Sequence, residues 1–371
     1  MNRQYDESFA KSGAKIGDTL KIRLPNQYTV RSGAALSTQD TTESSVLLQV
    51  ATQKGVDLNF TSVELTLSLD DFSRRILDPA MSVLAASIEA DAMTMYKDVY
   101  QEVANVGQPI TFSKVLAARK ILNDSLAPID SDRTANLNTQ DNVDLVDALK
   151  GLFQDSKEIA EQYREGMMGR TAGFDFYENT LWPSHTVGTK AGTPLVNGAS
   201  QTGASLATDG WTASSAILKK GDVFTIAGVF KVHPESKAST GILQQFVVTA
   251  DVIADGVGNA TLPISPAIAT AGAGQNVSNA PADNAAISVV GTASTAHGLS
   301  MAYHKDAFTF ATADLVMPRG VDFAAREVFD GISLRVVRQY DINQDRFPCR
   351  LDVLFGFKTI RPQLACRLAN N

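Results

Sequence analysis

The 371-residue chain is 44% hydrophobic and 20% charged, which is ample for a buried core and too weakly charged for a disordered chain. Lys plus Arg number 33 against 40 Asp plus Glu, and the formal net charge of −7 argues against a protein whose main task is gripping nucleic-acid phosphates. Two cysteines (Cys349, Cys366) and four histidines (His185, His233, His297, His304) exclude a disulfide scaffold and a Cys-rich zinc site. No apolar run reaches the roughly 18–20 residues that span a bilayer, and the N-terminus lacks an apolar signal stretch. The expectation is therefore a soluble, intracellularly folded protein of about two or three folding units.

In chain order, Leu20, Ile22 and Leu24 alternate with Lys21 and Arg23 and predict a first strand. Val46, Leu48 and Val50 predict a second, and Val56, Leu58 and Phe60 a third. The polar stretch 31–43 turns the first two into an extended β-hairpin arm. Isolated two-stranded hairpins are marginal in water, so such an arm needs something to lie on. Asp70-Asp71 then opens a helical region, as acids should at a positive helix N-terminus. From Pro79, the residues Met81, Leu84, Ile88, Ala92, Met95, Val99 and Val103 recur at steps of three and four. That stripe predicts one helix over about 79–104, some seven turns and about 35–40 Å long. Further helices are expected at 113–125, 143–152 and 156–163.

The segment 186–300 differs in composition. It holds five Lys and six acids in 115 residues, about half the density of the whole chain, and is crowded with Gly, Ala, Ser and Thr. Short runs at Phe224 and Ile226, Phe246 and Val248, Leu262 and Ile264, and Ile287 and Val289 read as strands of a small barrel or sandwich. Gly228 suits a bulge where such a strand bends. After it, Ile332, Leu334 and Val336, then Leu351, Val353, Phe355 and Phe357, predict a closing antiparallel hairpin around the turn-forming 341–345.

A search for chemistry yields no constellation. There is no P-loop ending; Gly256-Val257-Gly258 lacks the third glycine of a dinucleotide fingerprint; Ser12 to Lys15 fits S-x-x-K without its companion motifs. No two histidines have metalloprotease spacing, and each reads as a surface or loop histidine. Cys349 and Cys366 read as buried inert thiols. Asp70-Asp71 beside Arg74-Arg75 is accounted for by the helix dipole and ion pairing, and Asp130, Asp132 and Arg133 by a solvated loop. The reading is a non-enzyme with no cofactor and no metal site.

The order of arm, strut helix, β-segment and closing sheet resembles the major coat proteins of tailed bacteriophages with the Hong Kong 97-type fold, and most of all a P22-like branch with an inserted β-barrel. The resemblance is carried by Gly17-Asp18-Thr19-Leu20-Lys21-Ile22-Arg23 with Pro25, by Asp70-Asp71-Phe72, by Ala172-Gly173-Phe174-Asp175 with Asn179, by Lys219-Lys220-Gly221-Asp222-Val223-Phe224, by Gln245-Phe246-Val247-Val248, and by Arg350-Leu351-Asp352-Val353 with Arg361-Pro362. It implies an α+β Hong Kong 97-like capsid fold: an N-terminal arm at 1–17, an E-loop at 18–69, a peripheral domain with the spine helix at 70–133, an axial domain at 134–185 and 303–344, an inserted all-β barrel at 186–302, and C-terminal strands of the peripheral domain at 345–371. It also implies pentamers and hexamers closing into an icosahedral head around double-stranded DNA, assembled in the host bacterial cytoplasm with a scaffolding protein and a portal protein, and no membrane partner.

Arg31, Asp40 and Glu43 on the arm, Asp70 and Asp71 at the helix entry, and Ile88 on the spine are the expected assembly residues. Two departures stand out. The stretch 203–215 holds one acid and no base, which disfavours a salt-bridged contact through it. Members of the family carry a longer helical arm ahead of the position of Arg3, so the expectation from the resemblance is a scaffold-binding part that is shortened or missing here. A phage decoration or tail-type β-rich binding protein is the alternative reading, motivated by the Ser/Thr/Gly-rich segment.

Overall fold

The alternating apolar runs fold as strands, and the longest of them organises its surroundings. A computed structural model describes residues 2–5, 19–30, 33–34, 36, 38, 44–61, 78–149, 169–329 and 331–370. The chain divides into two units: Met1–Pro25, Glu43–Ala92 and Phe308–Ile360 form the first, and Asn26–Thr42, Met93–Ala307 and Arg361–Asn371 the second.

In the first unit, strand Arg346–Thr359 has both edges occupied. Thr52–Thr61 pairs antiparallel along one edge, from Phe355↔Thr52 to Arg346↔Thr61. Along the other edge, Ile332–Arg338 takes the N-terminal half and Phe308–Ala313 the C-terminal half. Phe323–Phe329 pairs beyond Ile332–Arg338, and Asn2–Tyr5 lies parallel to Phe308–Ala313. Alternation then sorts the side chains of the central strand onto two faces. Val353 and Phe355 meet Phe310 and the helix residues Leu84 and Ile88, whereas Leu354 faces Leu48, Val50, Ala311 and Ala313. Gly356 is dictated by space, since a Cβ there would stand 2.0 Å from the Gln49 carbonyl oxygen.

The expected arm is present at its base, where Thr19–Arg23 pairs antiparallel with Ser45–Gln49. The expected third strand and the C-terminal hairpin are present too. Ile88 is 8% exposed and packs within its own unit. Lys54 of the central sheet reaches Asp91 Oδ2 at 2.6 Å and Ser87 Oγ at 2.9 Å, which ties the helix to the sheet across its polar edge.

The helix itself corrects the sequence expectation. Helix α1 (Asp78–Met93) ends eleven residues early, and Thr94–Asp98 tightens into a 3-10 turn before Val99 becomes extended. Of the expected apolar stripe, Leu84 and Ile88 are buried, whereas Met81 is 37% exposed. Farther along, Met95, Tyr96, Val99, Tyr100, Gln101 and Glu102 are all buried, so no single helical face is left to divide core from solvent. Val103, assigned to the helix by its spacing, lies in strand Glu102–Ala104. The expected helix at 113–125 is α2 (Phe112–Asp124), entered from extended Thr111, and α3 (Thr139–Leu149) covers most of the next. The expected helix at 156–163 lies outside the described residues.

The second unit holds two six-stranded sheets. One runs in the order Glu102–Ala104, Ala365–Ala369, Leu299–His304, Arg133–Leu137, Phe174–Glu178, Arg170–Thr171. The other runs Gly192–Val196, Gly203–Trp211, Ala260–Ile268, Ser239–Val248, Val223–Val232, Ile287–Val289. Its first strand meets the last segment again, because Leu195 bridges Ala286 and Val196 exchanges hydrogen bonds with Asn284 and Ala285. One apolar cluster, including Leu206, Phe224, Ile226, Phe246 and Leu262, fills its interior. Gly228 has φ +79, and the register with the neighbouring strand shifts between Thr225 and Phe230, as a bulge requires.

Ile88→Asp places a charge among Leu84, Phe310, Val353 and Phe355 and is expected to abolish soluble expression. Ile88→Ala should lower unfolding free energy by about 2–4 kcal/mol in a urea titration. Asp352 is buried, which alone would raise its pKa, but hydrogen bonds from Arg335 at 2.6 Å and Arg350 at 2.9 Å hold it below the ordinary carboxylate range. Its contribution is therefore present above about pH 4 and lost as pH falls through the lowered value. An Asp352→Asn chain should be less stable at neutral pH and show a shallower loss on acidification in the same titration.

Candidate functional site

The second unit brings together polar groups that the sequence keeps far apart. Glu102 and Arg367 are 5% and 1% exposed and form an ion pair. Arg367 sits in strand Ala365–Ala369, whose parallel neighbour Glu102–Ala104 sets Arg367 opposite Glu102. The same guanidinium donates to the Gly221 carbonyl at 2.8 Å and lies 5.8 Å from the Tyr96 ring centroid. The chain next to Gly221 continues the network. Asp222 Oδ2 accepts the amides of Gly188 at 3.0 Å and Lys219 at 2.8 Å, while Oδ1 lies 2.8 Å from His185 Nε2. An ionised carboxylate only accepts, so His185 donates from Nε2, and its Nδ1 accepts the Tyr96 hydroxyl at 3.1 Å. Burial pushes the Tyr96 phenol up to about 12, so it remains a donor at neutral pH.

His185 is also paired by backbone. Strands His185–Thr186 and Ala296–His297 are antiparallel with His297 opposite His185, and the two rings meet edge to face at 5.6 Å. These are the two places where the chain enters and leaves the segment 187–295. The segment is tied to its surroundings at further points: Gln245 exchanges two 2.9 Å hydrogen bonds with the Glu102 backbone, and the Lys231 amine reaches Ser125 Oγ at 2.8 Å. Burial holds the Lys231 amine below its ordinary range.

A second buried centre holds the C-terminus. Asn138 caps α3 by accepting the Asp141 amide at 2.7 Å, and Asp141 Oδ2 accepts from Ser300 Oγ at 2.5 Å and Asn370 Nδ2 at 2.9 Å. Burial raises the Asp141 pKa against these donors.

The histidine expectation is corrected: His185, His297 and His304 are buried at 4%, 5% and 2% exposure, not surface residues. The reason is long-range, since Asp222 and Tyr96 lie 37 and 89 residues from His185 and no local pattern announces them. Arg133 is likewise not part of a solvated loop; it is 1% exposed, its guanidinium donating to the carbonyls of Ala127 and Pro128 and to Asn123 Oδ1. Cys349 and Cys366 are buried free thiols, with Cys366 pushed up to about 12 by burial. Of the expected assembly residues, Arg31, Asp40, Glu43, Asp70 and Asp71 lie outside the described residues, as does Ser12 to Lys15; Ile88 is in the core of the first unit.

Among the described residues, Asp130, Asp132 and His304 bring ligand-type atoms within 4.8 Å of one another. The chemistry is wrong for a cation. His304 Nδ1 accepts the Asp306 amide, so Nε2 carries the proton and donates to Asp130, and Lys305 already pairs with Asp132. No nucleophile, general base and oxyanion donors converge at any of these centres; they are cross-links between chain segments.

The network thus belongs to a protein built to hold its shape, and similarity to known proteins gives that protein its class. A family model described as P22 coat protein, gene protein 5, matches residues 9–367. The chain belongs to the P22 coat protein family, and is a structural protein of the bacteriophage capsid located in the virion. The decoration or tail-type reading gives way to this match. No curated protein matches the chain. Among solved structures, the capsid of Cyanophage P-SCSP1u is similar over 100% of this chain and 86% of that chain, at 9% identity and TM-score 0.48. One from Mycobacterium phage Che8 covers 98% of this chain and 88% of that chain, at 12% identity and TM-score 0.47. A CUS-3 coat protein I-domain is 28% identical over 27% of this chain and 96% of that chain, with TM-score 0.21. No helix among the described residues is long and apolar enough to cross a membrane.

Breaking the central pair tests its structural weight. Glu102→Gln leaves the Arg367 charge buried without its counter-ion and should cost about 3–5 kcal/mol in chemical unfolding, whereas replacing both with Arg367→Met and Glu102→Leu should recover most of that loss.

Proposed function

We propose that the chain is the major capsid protein of a tailed phage, assembling into pentamers and hexamers of an icosahedral head on a Hong Kong 97-type fold. The single observation that carries this is the family match over 9–367. The exposed apolar residues of the arm support its use as an E-loop: Val30 is 96% exposed, Leu36 84%, Tyr28 60% and Leu47 59%, a cost in water that a neighbouring subunit would remove. Arg31, Asp40 and Glu43 at the arm's tip and Asp70 and Asp71 at the helix entry are the charged residues assigned to that contact. Ile88 acts indirectly, by holding α1 on its sheet.

The segment 186–302 is read as an inserted barrel. The Leu195–Ala286 bridge, which returns the first strand to the last, and the single apolar interior support that reading. The domain boundaries proposed from the sequence go with it. So do the partners: further copies of this chain, a scaffolding protein, a portal protein, and double-stranded DNA enclosed by an acidic wall that does not hold phosphates by counterion release.

Co-expression with the scaffolding protein of the same phage should give shells by electron microscopy; monodisperse monomers without shells, rings or tubes would overturn the reading. Deleting 31–43 should leave a folded subunit with normal circular dichroism and impair shell formation. Unchanged assembly would remove the arm from the mechanism.

A further inference from the structure

His297 is the buried polar side chain that the network leaves out. It is 5% exposed and, among the described residues, neither ring nitrogen has a hydrogen-bond partner, although the neighbouring His185 uses both of its own. It stands where the chain leaves the segment 187–295, in direct register with His185 where the chain enters. Its surroundings are tight, for a Cβ on Gly291 would lie 3.8 Å from its Cε1 and 2.9 Å from Val187 Cγ2.

We propose that the His185–His297 pair is a proton-sensitive latch on the two chain crossings, closed while His297 is neutral and opened when it takes up a proton.

Among the described residues, the charged groups facing His297 are already engaged. From strand Glu102–Ala104 comes Glu102, paired with Arg367; from strand Ala365–Ala369 comes Arg367 itself, a like charge for an imidazolium. From the turn before Val223 comes Asp222, whose oxygens serve His185 and two backbone amides. His185 faces it from the opposite crossing, and Tyr96 is bound to His185. A protonated His297 would present two buried N–H donors, and among the described residues no acceptor lies within hydrogen-bond reach of either ring nitrogen. Burial foremost, with His185 and Arg367 adding to it, depresses its pKa, and the attractions of Glu102 and Asp222 do not restore it.

The sign follows from linkage. The opened crossing binds the proton more readily than the closed one, so closure is favoured above the ordinary histidine range and weakens as pH falls below it. The opening is local. Strands Val223–Val232 and Ser239–Val248 draw their stability from an apolar interior that does not titrate, and Gln245 and Lys231 provide attachments distant from the crossings.

Hydrogen exchange of the full-length unassembled chain reads this directly. Between about pH 7.5 and about pH 5, after correction for intrinsic exchange, protection of the Val187, Ser294 and Asn370 amides should fall about tenfold or more. These amides donate across the crossings to Thr295, Gly188 and Gly298. Protection of Phe246 and Val248 should hold. In His297→Phe, which keeps an aromatic ring and cannot titrate, the pH dependence should vanish. Crossing amides that keep their protection at the lower pH, or a Phe variant that loses it as the natural chain does, would overturn the latch. Should that variant fail to fold, the His297 ring resonance of the natural chain decides by NMR titration: a midpoint below the ordinary histidine value supports the latch, and one at or above it refutes it.

Discussion

The second unit depends on a charge pair that water cannot reach. Glu102 and Arg367 are both removed from solvent, and taking two charges out of water is favourable only when geometry and further hydrogen bonds offset the desolvation. The offset is gathered from remote chain: the Gly221 carbonyl, the Tyr96 ring and the backbone of Gln101, whose carbonyl accepts the Arg367 amide at 2.8 Å. The near-C-terminal strand is therefore not an appendage. It lies between Glu102–Ala104 and Leu299–His304, and its arginine sets where the turn before Val223 must sit. Such an arrangement rewards correct assembly of all its parts and penalises any one missing.

The first unit solves a different problem with apolar means. Its central strand is paired on both edges and covered on both faces, and stacked rings run from Phe310 through Phe355 to Phe357. Arg335 and Arg350 converge on buried Asp352 of that strand, which adds register to a sheet whose apolar pattern alone would tolerate a slip of two residues. Charge specifies pairing here, while the rings supply most of the cohesion.

Much of this architecture was legible in the sequence because strand alternation is a local signal. The runs at Leu20, Val46, Val56, Phe224, Leu262, Ile332 and Leu351 all became strands, and the low charge density of 186–300 marked a continuous block of them. The strut helix was over-extended because spacing reports burial and not the direction of burial. Met95, Val99 and Val103 are indeed buried, yet so are Tyr96, Tyr100, Gln101 and Glu102 among them. The junction network was illegible for another reason. Its members are single residues of ordinary type, and Arg367 and Glu102 meet across 265 positions. Four histidines looked too few to matter; three of them turned out to be interior.

The continuity of chain from the arm into the central sheet has a mechanical consequence. Ser45–Gln49 of the arm leads, after two residues, into Thr52–Thr61, which is held to Arg346–Phe355 by a ladder of antiparallel pairs. Tension directed along Thr52–Thr61 loads the ladder in shear, with all its bonds sharing the force at once. A pull perpendicular to the strands would instead open the same bonds one after another, like a zipper. The joint is therefore strong along the strand axis and weak across it, and a load on the arm reaches the sheet through this strand.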